Sequence, residues 1–379
     1  MKRTLFVTLD FPPRRGGVAR YYDNLVKGFP AEDLVVLAPP EAGSEQWDAK
    51  QSYKIIRAKL VSRIPWIWPR WLPTVFLLLR IIDEEKIQSI HVGQVLPLGT
   101  AAAFVSGLKR LPFFIYTHGL DVTLPQAQPR KKGLMKDALK RARLLFANSL
   151  YTKKEIISLG LPDRKIEVLT PGCEINTEID PDLAQNIKTR YQLEGRWILL
   201  TVGRLEERKG HDQIIRAVSR LRALIPHLTY CIVGEGPDDQ RLRAIAKEEK
   251  VADRVVFAGS VADEELSAWY SLASVFIMVP RVLANRDVEG FGIVYLEAGA
   301  FALPVIGGRS GGVSEAILER ETGLLVDPYN VHEIAGAIGR LHEEPDFATK
   351  LGQKGKERVR RDFRWPDRSR RVIQLTENS

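Results

Sequence analysis

Cysteine is scarce in this sequence. The 379 residues contain only Cys173 and Cys231, which lie 58 positions apart and form no CxxC pair. This argues against a disulfide-stabilised scaffold and against a cysteine-rich zinc site. Long apolar runs are also missing, since no stretch of about 18 apolar residues predicts a membrane-spanning helix. The segment between Arg3 and Pro12 is too short for the apolar region of a signal peptide, so we expect a cytoplasmic protein.

Motifs of several common enzyme classes are missing as well. There is no Walker A sequence and no G-x-G-x-x-G, which argues against P-loop NTPases and dinucleotide-dependent oxidoreductases. The only D-x-D sequence, Asp180-Pro181-Asp182, lies in a segment that we interpret as a linker. Five histidines show no metal-ligand spacing, so no metal is expected: His91, His211, His227, His332 and His342.

Positive charge is concentrated in one half of the chain. The sequence has 56 Lys and Arg against 47 Asp and Glu, a net charge of +9. Residues 1–175 hold 27 basic and 16 acidic residues, so the whole excess lies there. We therefore expect an anionic partner for this half: a nucleic acid, a membrane surface or a phosphorylated substrate.

The pattern of apolar residues is typical of parallel α/β domains. Short β-branched runs alternate with amphipathic stretches of helix length, and several runs end in a glycine-containing turn. Ligands commonly bind at the carboxyl ends of such strands. The predicted strands are Thr4–Leu9, Leu34–Leu37, Ile55–Ile56, Ile90–Val92, Phe113–Thr117, Leu144–Ala147, Trp197–Val202, Tyr230–Val233, Val255–Ala258, Val275–Val279, Pro304–Ile306 and Gly323–Val326.

The polar segment Pro171–Tyr191 separates the two halves. It contains prolines, shows no apolar periodicity and is followed by a new predicted strand at Trp197. We interpret it as the boundary between two doubly wound domains that face each other across a cleft. The basic stretch Lys354–Arg371 either forms an exposed final helix or crosses back to the first domain.

The segment DVEGFGIVYLEA (287–298) carries two carboxylates, Glu289 and Glu297. If a helix begins near Phe291, the glycines beside it, Gly292 among them, leave its first amides accessible to a phosphate. Glu289 then precedes the helix and Glu297 projects about 1.5 turns inside it. Ionised carboxylates beside an anion site suit sugar hydroxyls, because they accept strong hydrogen bonds. The alternative is a capped surface helix with two solvated glutamates.

A basic loop, GRLEERKG (203–210), follows the first predicted strand of the second half. Arg204 and Lys209 flank this loop and are placed to converge on a diphosphate, the arginine bidentately and the lysine as a point charge. The paired glycines Gly16 and Gly17 follow the first strand of the chain and allow the backbone to approach a ligand closely. A solvated turn is the alternative for the basic loop, and the glycine pair alone is a weak signal because glycine turns follow many strands.

His118 lies at the carboxyl end of the predicted strand Phe113–Thr117, directly before Gly119. Ligands meet parallel strands at this end, so the position suits contact with a substrate. A satisfied histidine packed in the core is the alternative. The turn GEGP (234–237) also follows a strand, and by itself it is a weak signal.

Residues 130–146 contain seven basic residues and one acidic residue. Apolar residues at helical spacing make this stretch a candidate amphipathic helix for a membrane surface. The segments Trp66–Pro73 and Thr74–Leu79 add aromatic and apolar side chains that suit the bilayer interface. The alternative is that the apolar face packs in the core and the charges are solvated. We expect peripheral binding to anionic lipid.

Taken together, these motifs resemble the retaining glycosyltransferases of family 4, and within them the mannosyltransferases that act on phosphatidylinositol mannosides. The matching segments span nearly the whole chain, and the combination of E-x7-E with GR…RKG is their specific part. The segments are FPPRRGGVARY, YTHGLDV, FANSLYTKKEI, VLTPGCEI, VGRLEERKGHDQII, IVGEGP, DVEGFGIVYLEAGAFALPVIGGRSGGVSEAI and ETGLLVDP.

The resemblance implies the GT-B fold, an α/β architecture of two facing Rossmann-like doubly wound domains with a cleft between them. It implies an acceptor-side domain made of residues 1–175 and a returning C-terminal helix at 362–379. Residues 176–361 are then the nucleotide-sugar domain.

The resemblance also implies a role for single residues. Arg204 and Lys209 hold the donor diphosphate, Glu297 binds the ribose, and Glu289 binds the donor sugar. Other main-chain positions surround the diphosphate and the base. The implied catalytic residues are His118, which contacts the transferred sugar, with Glu289, Arg204 and Lys209. The implied donor-binding residues are Gly16, Gly17, Arg204, Lys209, Gly234, Glu235, Val256, Phe291, Gly292, Ile293, Val294 and Glu297.

The implied reaction is a metal-independent transfer of a hexose that needs no cofactor beyond the nucleotide-sugar substrate. The match of DVEGFGIVYLEA to the mannosyltransferases favours GDP-mannose as the donor, and a UDP-sugar stays open. The acceptor is a lipid-linked or glycan hydroxyl, and the variable loop Arg281–Arg286 leaves its contacts open. Retention would follow from same-face attack, with the leaving phosphate accepting the proton of the acceptor.

Two alternatives come from other functional classes. A nucleotide-sugar 2-epimerase has a similar fold, but needs an acid and a base at C2, for which only His118 and Glu289 are candidates. A basic nucleic-acid-binding protein would leave the E-x7-E and GR…RKG motifs unexplained, so no nucleic-acid partner is expected. The expected location is the cytoplasm, with peripheral binding to the inner face of the membrane. The oligomeric state is open, with a monomer favoured.

Overall fold

The computed structural model describes residues 1–62, 69–174 and 176–377. The chain forms two compact units. Unit 1 comprises Met1–Gly172 and Trp365–Ser379, and unit 2 comprises Cys173–Arg364. Each unit contains one parallel sheet in its described part, with buried apolar clusters on both faces of the sheet.

The sheet of unit 1 is parallel throughout its described strands. These strands are β1 (Thr4–Val7), β2 (Leu34–Ala38), β3 (Lys54–Arg57), β4 (Ser89–Val92), β5 (Phe113–Thr117), β6 (Leu144–Ala147) and β7 (Ile166–Val168). They lie in the order β3-β2-β1-β4-β5-β6-β7. The helices before the boundary are α1 (Gly17–Val26), α2 (Ser44–Asp48), α3 (Leu72–Glu84), α4 (Thr100–Lys109), α5 (Leu120–Thr123), α6 (Pro129–Arg141) and α7 (Leu150–Ser158).

Alternation along β1 explains the two cores of unit 1. Leu5 and Val7 belong to the cluster that includes residues of α3, α4 and α6. Phe6, between them, belongs to the cluster that includes residues of α1. Successive side chains of a strand point to opposite faces, so a continuous apolar run is buried on both sides of the sheet.

The sheet of unit 2 follows the same plan. Its described strands are β8 (Trp197–Val202), β9 (Leu228–Val233), β10 (Val255–Gly259), β11 (Val275–Met278), β12 (Val305–Gly308) and β13 (Gly323–Val326). Their order is β10-β9-β8-β11-β12-β13, again in parallel. The helices are α8 (Pro181–Tyr191), α9 (His211–Leu221), α10 (Asp239–Glu248), α11 (Asp263–Leu272), α12 (Ile293–Ala300), α13 (Val313–Ala316), α14 (Val331–Glu343) and α15 (Pro345–Asp362).

The last helix, α16 (Trp365–Glu377), belongs to unit 1. The Ser369 hydroxyl donates to the carbonyl of Leu25 at 2.7 Å, and the Trp365 ring meets the Tyr21 ring edge-on at 5.0 Å. An ion pair of 2.6 Å joins Arg371 to Glu167. The chain therefore begins and ends in the same unit.

The predicted α/β class is confirmed, because each predicted strand overlaps an observed strand in a doubly wound sheet. The prediction missed β7, whose three residues Ile166–Val168 are too few for a clear pattern. It was wrong to treat all of Pro171–Tyr191 as aperiodic linker, because α8 occupies its second half. The Asp180 side chain caps α8, whose short apolar stripe packs against the core of unit 2 through Ile187 and the half-buried Leu183 and Tyr191.

Both sheets reverse their winding at one position. In unit 1 the first strand lies between β2 and β4, and in unit 2 β8 lies between β9 and β11. The loops that follow β8 and β11 therefore leave the carboxyl ends of two neighbouring strands. Ligands of open parallel sheets bind at such a reversal, which directs attention to these loops.

Candidate active site

The loop after β8 carries two buried cations. Residues 207–209 form a single helical turn that ends at Gly210, whose φ of +76° favours glycine. A β-carbon at Gly210 would overlap the carbonyl oxygen of Val279, so the loop packs directly against the residue that follows β11. Lys209 is only 9% exposed in this position, and Arg208 is also largely covered.

The Glu289 carboxylate receives both cations. Its Oε2 lies 2.5 Å from Nζ of Lys209 and 2.7 Å from Nη1 of Arg208. Burial opposes the charge on Glu289, but the two cations outweigh burial and lower its pKa to about 2. Residues about 80 positions apart in sequence thus form one charged cluster at the point where the sheet reverses.

Arg208 is the residue that the sequence interpretation missed. Besides Glu289, its guanidinium pairs with Glu206 at 3.0 Å and with Asp287 at 3.1 Å. Burial alone would lower the pKa of Arg208. The attraction of these three carboxylates outweighs burial, so the pKa of Arg208 is raised. The sequence signal that could have indicated Arg208 is its position in the RKG motif, directly before Lys209.

Arg204 lies apart from Glu289. Its side chain is 71% exposed and pairs with Glu206 at 3.0 Å, so it joins the cluster through a carboxylate that it shares with Arg208. The expectation that Arg204 and Lys209 flank one loop is met. The structure brings the lysine, rather than Arg204, onto Glu289.

Helix α12 begins two residues after the predicted position. Gly292 takes a left-handed conformation (φ +91°) as the residue before the helix, and Phe291 is buried against the ring of Phe363. The first N–H groups of the helix, at Ile293 and Val294, have no carbonyl of a preceding turn to bond. They provide partial positive charge beside Glu289.

Glu297 is buried within α12, one turn inside the helix. Tyr270 of α11 donates to its Oε2 at 2.7 Å, and the Tyr270 ring stacks on Phe301 at 5.4 Å. The carboxylate is therefore held in one orientation by a rigid neighbour. The solvated-glutamate alternative does not describe Glu297.

The remaining predicted residues of unit 2 lie at the ends of β9 and β10. The N–H of Gly234 donates to Gly259 at 2.8 Å, and the Glu235 side chain accepts from the N–H of Ser260 at 3.2 Å. The carbonyl of Glu235 accepts from the N–H of Leu205 at 3.0 Å, which ties this turn to the basic loop. Val256 lies within β10 and is half-buried.

His118 of unit 1 lies among aromatic side chains. Its Nε2 is 2.6 Å from the hydroxyl of Tyr22, and its ring meets the Tyr21 ring edge-on at 4.8 Å. Burial lowers the pKa of His118 to about 4. The N–H of His118 donates to Asp121 at 2.8 Å, and burial raises the pKa of Asp121 to about 7.

Gly16 and Gly17 open α1 in the same unit. Gly16 has a φ of +146°, which favours glycine, and no atom lies within 4 Å of a β-carbon placed on either residue. The space beside them is open. Within residues 1–62, 69–174 and 176–377, no group of three or more His, Cys, Asp or Glu side chains is placed to hold a metal ion.

Two family models match the chain. One, described as "Glycosyl transferases group 1", matches residues 184–358, and the other, "Glycosyltransferase Family 4", matches residues 15–177.

Several relatives match nearly end to end, among them two mannosyltransferases. The GDP-mannose-dependent alpha-(1-6)-phosphatidylinositol monomannoside mannosyltransferase of Mycolicibacterium smegmatis is 35% identical over 98% of this chain and 97% of its own. The GDP-mannose-dependent monoacylated alpha-(1-6)-phosphatidylinositol monomannoside mannosyltransferase of Corynebacterium glutamicum is 28% identical over 100% and 98%.

A solved structure has the same fold. The Anabaena protein Alr3699/HepE, crystallised in complex with UDP, superposes with a TM-score of 0.85 at 18% identity, covering 100% of both chains. At 18% identity, this superposition shows a shared fold only.

Proposed function

The chain belongs to the family 4 glycosyltransferases of GT-B fold and is a hexosyltransferase, and from this premise we propose that it transfers mannose from GDP-mannose to a hydroxyl of a glycolipid, with retention and without a metal. The names of the relatives that match end to end support the donor and the acceptor class. The cluster of Lys209, Arg208 and Glu289 is the observation that carries the proposal.

In this proposal the diphosphate of the donor lies against the start of α12. Lys209 and Arg204 supply positive charge, and the amides of Ile293 and Val294 supply hydrogen bonds. Glu289 accepts from hydroxyls of the mannose, because its pKa of about 2 keeps it ionised and able to accept. Its negative charge also holds Lys209 in place until the donor arrives.

The nucleoside of the donor contacts the other predicted residues of unit 2. Glu297 accepts from the ribose hydroxyls, in the orientation that Tyr270 gives it. The base lies near Gly234, Glu235 and Val256. We assign contact with the transferred sugar to His118, and the loop at Gly16-Gly17 to the diphosphate.

The chemical step breaks the bond between the anomeric carbon of mannose and the phosphate oxygen. The acceptor oxygen forms the new bond on the same face, and its proton passes to the departing phosphate. Negative charge grows on that phosphate, so fixed cations and helix-end amides lower the barrier. No carboxylate of this scheme acts as a nucleophile. Trapping of a mannosyl ester on Glu289 would contradict it.

A product assay tests the proposed function. The protein is incubated with GDP-mannose and a phosphatidylinositol mannoside in EDTA, and the product linkage is analysed by NMR. We expect an α-linked mannose, with activity unchanged when Mg²⁺ replaces EDTA. A 2-epimer formed from the donor alone, or transfer only from UDP-sugars, would contradict the proposal.

The membrane part of the proposal rests on α6 and the helices beside it. The basic side chains Lys131 and Lys132 are exposed on α6, whereas its apolar residues Met135, Ala138 and Leu139 are buried in the core. The core alternative therefore holds for most of the apolar face.

Exposed apolar residues of unit 1 supply other contacts with lipid in this proposal. They lie on α3, α4 and α6: Phe76 (65% exposed), Phe104 (53%), Leu108 (63%) and Leu134 (39%). Basic and apolar side chains together favour an anionic bilayer surface. Thr74, Val75 and Leu78 are buried in α3, so that part of the predicted aromatic and apolar segment belongs to the core. Trp66 and Trp68 lie outside the described residues, and no described helix is both long and apolar enough to cross a bilayer.

Sedimentation with vesicles tests this part separately. We expect binding to rise with the anionic lipid content and to weaken when Lys131, Lys132 and Lys136 are all changed to Gln, since each basic residue contributes about 1 kcal/mol near such a surface. A matched control changes three lysines of unit 2 to Gln: Lys247, Lys350 and Lys354. Equal loss in the two triple variants, or binding that ignores lipid charge, would contradict a specific surface on α6.

A further inference from the structure

The hydroxyl of Tyr22 is committed to one acceptor. Tyr22 is fully buried in α1, and its hydroxyl donates to the carbonyl oxygen of Gly93, the residue directly after β4. A carbonyl oxygen can only accept, and a phenol has one proton to give. The oxygen of Tyr22 is therefore left as an acceptor for its second neighbour, Nε2 of His118, at 2.6 Å. That hydrogen bond needs a proton on Nε2.

The His118 ring then has a free acceptor on its other side. Burial lowers the pKa of His118 to about 4, so the ring carries one proton at neutral pH. With that proton on Nε2, Nδ1 keeps its lone pair. Among the residues that the structure describes, none forms a hydrogen bond with Nδ1, and part of the surface of His118 stays accessible to solvent.

The neighbours of the ring fix its plane. The rings of Tyr21 and Tyr22 meet it nearly edge-on, at 4.8 Å and 5.2 Å between centroids. The backbone N–H of His118 donates to Asp121, which anchors the start of α5. The imidazole is thus held in one place, and the direction of its free lone pair is fixed with it.

We propose that Tyr22 is a positioning residue that sets the tautomer of His118, so that Nδ1 accepts a hydrogen bond from a hydroxyl of the transferred sugar. The contact with sugar rests on the proposed function, whereas the tautomer is a property of the free protein. His118 then acts as a neutral acceptor and gives no proton to the substrate. The two ring nitrogens differ because the Tyr22 hydroxyl, whose proton is donated to Gly93, can only accept a hydrogen bond from Nε2.

Long-range 1H–15N correlation of histidine rings tests the tautomer directly. The full chain is labelled with 15N-histidine, and the His118 signals are identified by their loss in His118→Gln. We expect Nε2 protonated and Nδ1 unprotonated from pH 6 to 8 in the unmodified protein. In Tyr22→Phe we expect a mixture of tautomers. A proton on Nδ1 in the unmodified protein, or an unchanged pattern in Tyr22→Phe, would overturn the proposal.

Tyr21→Phe is the matched control. It keeps a ring against His118 and removes a hydroxyl that donates elsewhere, to the carbonyl of Leu169 at 3.3 Å. We expect the His118 signals of this variant to keep the tautomer of the unmodified protein. A tautomer change as large as that of Tyr22→Phe would show that packing, and not the hydroxyl, sets the proton, and would overturn the proposal.

Transfer kinetics separate this inference from the proposed function. We expect Tyr22→Phe to lower kcat/KM for GDP-mannose roughly tenfold, the effect of one misdirected hydrogen bond. If His118→Gln keeps full transfer activity while the tautomer result holds, the assignment of His118 to the sugar is wrong and the role of Tyr22 in the free protein stands. If Tyr22→Phe shifts the tautomer but leaves kcat/KM unchanged, the catalytic consequence is refuted.

Discussion

The polar cluster around His118 in unit 1 is uncharged, whereas the cluster around Glu289 in unit 2 is ionised. In unit 1, burial holds His118 neutral and raises the pKa of Tyr22 well above its usual value. In unit 2, Lys209 and Arg208 hold Glu289 ionised, with a pKa of about 2. Neutral groups exchange single hydrogen bonds with hydroxyls, whereas fixed charges stabilise charge that develops on a phosphate. In the proposed function, the neutral His118 therefore suits a sugar hydroxyl and the cations of unit 2 suit the departing phosphate, while Glu289 accepts from the sugar.

Removing the cation at Lys209 is expected to have the largest effect. Lys209→Met should lower kcat for mannose transfer about 10²- to 10³-fold, because one fixed donor to the developing charge is lost. Initial rates at saturating GDP-mannose measure this. The exposed Lys247 of α10, changed to Met, is the control and should keep full activity. A loss below about tenfold in Lys209→Met would place the phosphate elsewhere.

Arg208 is expected to matter for both stability and activity. Arg208→Met leaves three carboxylates without their shared cation, which should cost about 3 kcal/mol in the free energy of unfolding and lower kcat about tenfold or more. Urea unfolding followed by circular dichroism gives the first value. Arg204→Met, at a 71% exposed position, should change stability by less than about 0.5 kcal/mol. Equal destabilisation by the two variants would contradict the arrangement of charges.

The pH dependence of stability should also distinguish the units. Burial raises the pKa of Asp121 to about 7, above its ordinary value near 4. Between these values the folded protein holds a proton that the unfolded chain has lost, so stability falls as the pH rises, by up to about 1.4 kcal/mol per pH unit. Asp121→Asn should remove this slope between pH 4 and 7.

Glu289→Gln gives the counterpart in unit 2. The pKa of Glu289 is lowered to about 2, so the stability from its charge is present above its ordinary pKa and is lost only as the pH falls toward 2. From pH 5 to 8 the unfolding free energy of Glu289→Gln should run parallel to that of the unmodified protein. A changed pH slope of the unfolding free energy in Glu289→Gln, or an unchanged one in Asp121→Asn, would contradict this difference between the units.

The smallest expected effect concerns the orientation of Glu297. Tyr270→Phe removes the hydroxyl that donates to this carboxylate but keeps the ring on Phe301. The affinity for GDP should fall about three- to tenfold, the value of one hydrogen bond, without change in kcat. Calorimetric titration with GDP measures it. Tyr191→Phe, whose hydroxyl donates to Ala258 at 3.4 Å, is the control.

Much of the fold was readable from local pattern. Leu34–Leu37 is apolar over its whole length and Trp197–Val202 at every position except Thr201, as expected for strands buried on both faces. α8 escaped prediction because its apolar stripe of Leu183, Ile187 and Tyr191 is short and follows a polar segment that contains prolines. The α/β class and the choice of Lys209, Glu289 and Glu297 needed only motif and spacing.

The partners of those residues were not readable in the same way. Arg204 and Arg208 lie only four positions apart in one loop, yet Arg208 is largely covered and Arg204 is exposed. Tyr22 carries no motif and reads as one more core aromatic of α1. Hydrogen bonds between elements depend on which strands are neighbours, and the apolar pattern of one segment does not contain that order.

The amino-acid order by itself determined where strands form and which glycines, cations and carboxylates follow them, because these depend on residues close in the chain. Only the tertiary structure decided that β8 lies beside β11, which brings Lys209 and Arg208 onto Glu289. It likewise decided that the Tyr22 hydroxyl meets both Gly93 and His118. Contacts of this kind join residues about 70 to 100 positions apart, and the packing of whole sheets selects them.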